Sequence, residues 1–282
     1  VNSTDLASIT LGLLSALSWG AGDFSGGLAT KRTNIYGVIL ISQGIGIVLL
    51  IVLALALRET FPPLRDMLLG GAAGLAGAVG LVALYRGLAS GQMGIIAPVS
   101  AVLAATFPVI FAIFTQGLPS TLKLAGFGMA LLAVWLISRP EGGGGIRLAD
   151  LVLPLVAGIS FGGFFILIDL ANNVSALWPL VGARAASLVV MGGLAALTRQ
   201  QWRPDGPARY APIVLAGILD VGGNAFFSLA AQTGRLAEAA VLSSLYPAVT
   251  VLLAWLLLKE RMVRAQIGGA ALAFVAIVLI AS

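Results

Sequence analysis

The chain has 282 residues, of which 59% are hydrophobic and only 10% charged, with a formal net charge of +5. That balance excludes a soluble globular domain and calls for repeated membrane spans, with the lipid bilayer as the first partner. With no Cys and no His, disulfides, thiol and imidazole chemistry, haem and ordinary zinc sites fall away, and we expect neither metal nor cofactor.

Ten apolar runs can be drawn as spans, at about 7–29, 35–57, 66–89, 93–115, 121–138, 150–171, 177–198, 209–233, 236–257 and 264–281. The expected architecture is an all-α membrane protein of ten transmembrane helices, multi-pass in the inner (plasma) membrane, with residues 1–282 as one membrane domain. The first run has no basic residues before it and others follow, so we read no cleavable signal. The basic residues are scattered through short loops, which fits loop charge in a membrane protein rather than a nucleic-acid partner.

The one segment of distinct composition is residues 139–147, RPEGGGGIR, at the midpoint of the chain. Four glycines end any helix there, and 140–147 reads as a linker. A phosphate-loop reading is weak, because no strand precedes it and no GKS or GKT follows.

On either side of this linker, about 1–139 and 148–282, the sequence repeats itself. At an offset of 143, Gly74, Gly80, Gly91, Ala97, Ser100 and Gly126 meet Gly217, Gly223, Gly234, Ala240, Ser243 and Gly269. At 142, LLSALSWG ending at Gly20 meets LVAGISFG ending at Gly162, and Tyr36 meets Trp178. Phe107–Pro108 and Tyr246–Pro247 match only at 139, one helical turn out of register. Each half holds five spans. Five is odd, so the second copy starts on the opposite side of the membrane and the repeats are inverted.

The stretch 234–254, GRLAEAAVLSSLYPAVTVLLA, is long enough to span yet carries Ser243, Ser244, Tyr246, Pro247 and Thr250 near its middle. At about 100° per residue, Ser243, Tyr246 and Thr250 share one face, which hydrocarbon tolerates only toward protein or water. Pro247 removes a backbone hydrogen bond beside that stripe, and Pro108 does the same in span four, so both are candidate hinges. Ordinary interhelical hydroxyl contacts are the plainer alternative.

Asp220 and Asn224 lie four residues apart in span eight, hence on one face, where the first half has Gly77 and Leu81. A mid-membrane acid is a functional candidate, here for coupling or for a substrate amine; a structural pair with Arg184 of span seven is the alternative. Asp23 and Asp169 lie nearer a membrane face, where a solvated or capping role serves equally well. Glu238 falls in the first turn of span nine, favourable to the helix dipole and read as structural. Trp19, Tyr85, Phe107, Phe161, Phe164, Phe227 and Tyr246 occupy inner stretches of six spans and are candidate cavity walls, with Asn224, Ser243 and Ser244 as polar contacts. Gly70–Gly74–Ala78, Gly126–Ala130 and Gly269–Ala273 are close-packing faces.

Two five-span halves, Trp19–Gly20 early in span one, the aromatic–Pro pairs of spans four and nine, and Glu260–Arg261 before the last span resemble the drug/metabolite transporter superfamily, in its ten-span EamA-type branch. Gly117–Leu118 stand where the second half has Glu260–Arg261, so the first copy departs from that pattern. The length and the placement of Trp19, Phe107–Pro108 and Phe161 are similar to aromatic amino acid exporters of the YddG type. The resemblance implies a secondary transporter, not an enzyme, that exports a small, partly apolar metabolite such as an aromatic or other amino acid by alternating access. Protons are a candidate coupling ion, and the oligomeric state is left open, a monomer being one reading.

The rivals are a broad-specificity drug efflux transporter and, in other classes, an intramembrane enzyme or a receptor. An enzyme without His or Cys would need paired acids or a Ser–Lys dyad, and no Lys falls deep within a span, Lys123 lying in the first turn of the fifth. Loops opposite the chain ends carry eleven Lys and Arg against four on the side of the ends, which places both ends outside. The family resemblance implies both ends in the cytoplasm, and the two readings stand side by side.

Overall fold

A computed structural model describes residues 3–30, 33–89, 93–138, 151–199, 203–204, 206–233, 235–259 and 263–281. The linker at 139–147 and the Glu260–Arg261 pair lie outside the described residues, and so does the side chain of Tyr85. Every regular element among the described residues is helical: α1 (Ser3–Thr30), α2 (Ile35–Ala56), α3 (Leu64–Ala89), α4 (Met93–Gln116), α5 (Thr121–Ser138), α6 (Val152–Ala171), α7 (Trp178–Leu197), α8 (Tyr210–Gln232), α9 (Leu236–Ser243), α10 (Tyr246–Leu258) and α11 (Arg264–Ala281). Among the described residues, with α9 and α10 counted as one, seven spans are long and apolar enough to cross a membrane, and α5 and α11 are shorter apolar helices. The chain is a multi-pass membrane protein.

The expected ninth span, 236–257, is not one helix. It breaks between Ser243 and Tyr246. Ser244 N–H still bonds Ala240 O at 3.0 Å, but Leu245 N–H tightens to Leu242 O and Ala248 N–H reaches back only to Leu245 O. Pro247 explains this: it has no N–H for Ser243 O, and its ring would strike that carbonyl, so the helix stops and restarts with Pro in its first turn. Pro108 behaves differently, since α4 runs unbroken past it.

The helices pack in reciprocal pairs. α1 lies on α8 and α3 on α6; α2 lies on α8 and α3 on α7; α4 lies on α6, and α9 with α10 on α1; α5 packs on α11. The same contacts recur residue by residue. A methyl at Gly126 would stand 2.8 Å from Ile280, and one at Gly269 would stand 2.8 Å from Ile137, where 137 and 280 differ by the same 143 as 126 and 269. Gly74 sits against the carbonyl of Ala183, as Gly217 sits against that of Ser42. Ser100 Oγ donates to Pro154 O (3.3 Å) as Ser243 Oγ donates to Gly12 O (3.4 Å). Small residues at these crossings let backbones approach closely, which is how packing without a hydrophobic driving force is achieved in lipid.

Candidate functional site

The core is an aromatic stack made by three helices. Trp19 of α1 stacks on Phe227 of α8 (ring centroids 6.0 Å) and tilts against Phe165 of α6 (5.6 Å); Phe165 meets Phe227 at 4.5 Å and Phe164 at 5.8 Å. Trp19 reaches this place because Gly223 presents no side chain where its indole crosses α8. On the other side of the molecule, Phe161 lies over Gly80 in the same way, 2.7 Å from where a methyl would stand, and Phe107 covers Gly162. Phe227 is 0% exposed and Phe165 is buried, whereas Trp19, Phe107, Phe161, Phe164 and Tyr246 are half-buried. The half-buried rings have a face to offer; Phe227 holds the stack together from behind.

One turn further along α1 and α8 the interior turns polar. Arg184 of α7 donates from one amino group to Asp220 and from the other to Gln43 Oε1 of α2 (2.6 Å). Asn224 donates to Asp220 Oδ1 at 3.1 Å and to Asp220 O at 2.7 Å. The charge balance in this layer is therefore one guanidinium shared between a carboxylate and an amide, with a second carboxylate close by. Asp23 lies within electrostatic reach of Asp220, on the α1 segment where a methyl at Gly22 would stand 3.5 Å from the Asp220 amide nitrogen.

Exposure shows that this layer borders open space. Asp220 shares a helical stripe with Ile213, Gly217, Asn224 and Phe227, all buried, yet 38% of its own side chain is exposed. Asp23 shares a stripe with Gly12 and Ala16, both buried, and with Trp19, yet it too is exposed. Exposure on the facing stripes of two adjoining helices, which on α1 continues through Gly27 and Thr30, describes a crevice open toward the face where α1 ends, with both carboxylates on it. Arg184, with 10% of its side chain exposed, stands behind them.

The hydroxyls expected at this wall lie elsewhere. Ser243 is 0% exposed and bonded to Gly12 O, and Ser244 is buried with its Oγ on Val241 O (2.7 Å). Ser243 ties α9 to α1, and Ser244 satisfies its hydroxyl within its own helix. Thr250 Oγ1 donates to Gly20 O (3.0 Å), tying α10 to α1 just where Gly20 meets the Tyr246 carbonyl. The structure thus brings together Trp19, Asn224, Phe227, Asp220 and Arg184, and sets Phe107 and Phe161 at the reciprocal crossing.

Two members of the polar layer, Gln43 and Asp23, were not singled out as site residues from the sequence. Gln43 is an amide in an apolar run, and only its register opposite Arg184 gives it meaning. Asp23 had a signal, lying one turn after Trp19 on the same face; its distance along the span argued against it, and the packing of its neighbour Gly22 against Leu219 and Asp220 of α8 brings it to this layer.

Residues 148–282 match the model of the EamA-like transporter family. No curated protein matches the sequence. Among solved structures 28 chains match, and one of them, titled only as the crystal structure of a protein, superposes with a TM-score of 0.75 at 19% identity over 96% of this chain and 95% of its own. The likeness to that structure establishes the fold. The family match covers the second half, which contains Asp220, Asn224, Phe227 and the broken ninth span.

Proposed function

We propose that the protein is a secondary transporter that exports a small, partly apolar metabolite, an aromatic or related amino acid, by alternating access. The observation that carries this reading is the exposure of Asp23 and Asp220 on inward helix stripes beside Trp19. Intramembrane acids are costly and occur where a substrate, an ion or a proton passes. A pocket with an aromatic wall and a few convergent polar groups suits a ligand with an apolar body and a charged end. Asp23 would take the substrate amine, Trp19 its apolar body, and Arg184, released in part from Asp220, its carboxylate.

The reciprocal helix pairs support two five-span repeats of opposite orientation, because several contacts of the first half, such as Gly126–Ile280 and Gly80–Phe161, have counterparts in the second at offsets of about 143 residues. A site at the crossing of α1 with α8 and a broken ninth helix fit the way such repeats build transporters. The match of residues 148–282 to the EamA-like transporter family points to the same class. Protons are the favoured coupling ion, with Asp23 and Asp220 as the groups to carry them.

A second reading, broad efflux of cationic amphiphiles, draws on the excess of two carboxylates over one guanidinium at the crevice. Flux in proteoliposomes separates the two. A panel of radiolabelled aromatic amino acids, aliphatic amino acids and lipophilic cations is offered to protein-loaded and protein-free vesicles. Protein-dependent flux of aromatic amino acids supports the first reading, flux of cations alone the second, and no flux of any member removes both.

A further inference from the structure

The ninth span is split not only in its backbone but in its surroundings. Every residue of α9, Leu236–Ser243, is buried, whereas α10 has no buried residue. The eight-residue α9 is packed against α1, α4, α5, α6 and α8, so it fills the bundle at the face where α1 begins. On α1 the inward stripe follows the same gradient: Ser8, Gly12 and Ala16 are closed off beneath α9, while Asp23, toward the other face, is exposed.

Polar ties hold this closed face. Lys123 Nζ of α5 donates to Glu238 Oε1 at 2.7 Å, and Arg235 donates to the same oxygen at 3.1 Å. Glu238 Oε2 is buried and has no hydrogen-bond partner among the described residues. Around the same face, the Glu59 carboxylate accepts from Ser175 Oγ, from Leu177 N–H (3.0 Å) and from Ala176 N–H (3.3 Å) at the start of α7. Asn172 and Ser228 are bonded to each other there, with Gln232 on Asn172 O.

We propose that α9 is a hinged plug, pivoting at Ser244–Leu245 and latched by Lys123 to Glu238, and that releasing this latch opens the crevice to the face where α1 begins. The inference rests on the alternating-access reading and names the element that moves. A carboxylate with one oxygen doubly bonded by cations and the other buried unpaired is a poor permanent anchor, since water would satisfy the second oxygen on opening. The hinge is already built: the helix restarts at Tyr246–Pro247, so a pivot there breaks no continuous ladder. The corresponding helix of the first half, α4, is unbroken, so the plug is a device of one half only.

The chain has no Cys, which allows a clean test. Ala16 lies between Gly12, against Leu242, and Gly20, against Tyr246. Ala16→Cys is reacted with a membrane-impermeant thiosulfonate from the face where α1 begins, without substrate. The expected result is slow labelling that rises about tenfold or more in Lys123→Met and Glu238→Gln but not in Lys123→Arg. Equal rates in all four backgrounds overturn the proposal. Should the variants fail to fold, hydrogen exchange on the unmutated protein decides: α9 amides should exchange at least about tenfold faster than the amides buried between α5 and α11, and equal protection overturns the plug. Neither measurement needs transport, so a failed flux assay and a failed plug are told apart.

Discussion

The indole of Trp19 lies directly over Gly223, in the space a side chain at that position would fill. The relation recurs 143 residues earlier on α3, where Gly80 lies under Phe161 of α6. Both glycines are therefore required by packing rather than by backbone conformation, and the two halves share one solution for crossing an aromatic over a helix.

Gly223→Ala and Gly80→Ala should each destabilise the protein by roughly 1–3 kcal/mol, the usual cost of overpacking. A methyl at Gly71 meets nothing within 4 Å, so Gly71→Ala should be neutral or slightly stabilising. Thermal unfolding in detergent measures all three. A Gly223→Ala protein as stable as Gly71→Ala would show that the indole moves aside freely.

Arg184 and Asp220 should behave as a coupled pair. Arg184→Gln leaves Asp220 without its cation, and Asp220→Asn leaves Arg184 with Gln43 as its remaining acceptor. Because 38% of the Asp220 side chain is exposed, the coupling should be modest, on the order of 1 kcal/mol. A double-mutant cycle on unfolding midpoints checks this, and the pair Arg184→Gln with Asp220→Asn should recover folded yield while flux stays lost. Full flux in a stable Asp220→Asn protein would refute a transport role for that acid.

Asp23→Asn should weaken an amine-bearing substrate about ten- to a hundredfold, the value of a charge-assisted hydrogen bond of about 1.5–3 kcal/mol. The des-amino analogue of the same substrate, having nothing to offer Asp23, should bind both proteins alike. Competition binding with the two ligands reads the difference, and parallel losses for both would make Asp23 a structural residue.

Pro247→Ala supplies the N–H that Ser243 O lacks and should let α9 and α10 join. Turnover should fall by roughly tenfold, about 1.4 kcal/mol on the barrier, with substrate affinity changed less. Pro108→Ala should have little effect, because α4 already runs through that position. Stopped-flow flux on both proteins measures it, and unchanged turnover in Pro247→Ala would reduce the break to packing.

Much of the fold was legible because lipid imposes a simple rule: apolar runs of span length become helices. Small residues at a fixed offset gave the reciprocal crossings, as Gly126 and Gly269 show, since close packing in a membrane leaves few alternatives to Gly. The break in span nine was half legible. Pro247 marked a weakness, but the same signal at Pro108 left α4 whole, and only the packing around each helix separates the two. The site was less legible. Asp220 and Arg184 stood out as rare charges, whereas Gln43 acquires its role from a partner 141 residues away. Ser243 and Ser244 were conspicuous as polar residues mid-span, yet their hydroxyls are spent on backbone carbonyls. A hydroxyl can satisfy itself locally or across a helix seam, so its presence in a sequence does not say which way it faces.

The central claim is that one site at the α1–α8 crossing carries an amino acid across the membrane by being exposed to each side in turn. Counterflow tests it most directly. Proteoliposomes preloaded with unlabelled aromatic amino acid are diluted into a trace of the labelled compound, and uptake is followed with and without the preload. The account predicts that preloading accelerates uptake several-fold, and that the acceleration disappears in Asp23→Asn. Uptake that ignores the preload, or acceleration that survives intact in Asp23→Asn, would contradict it.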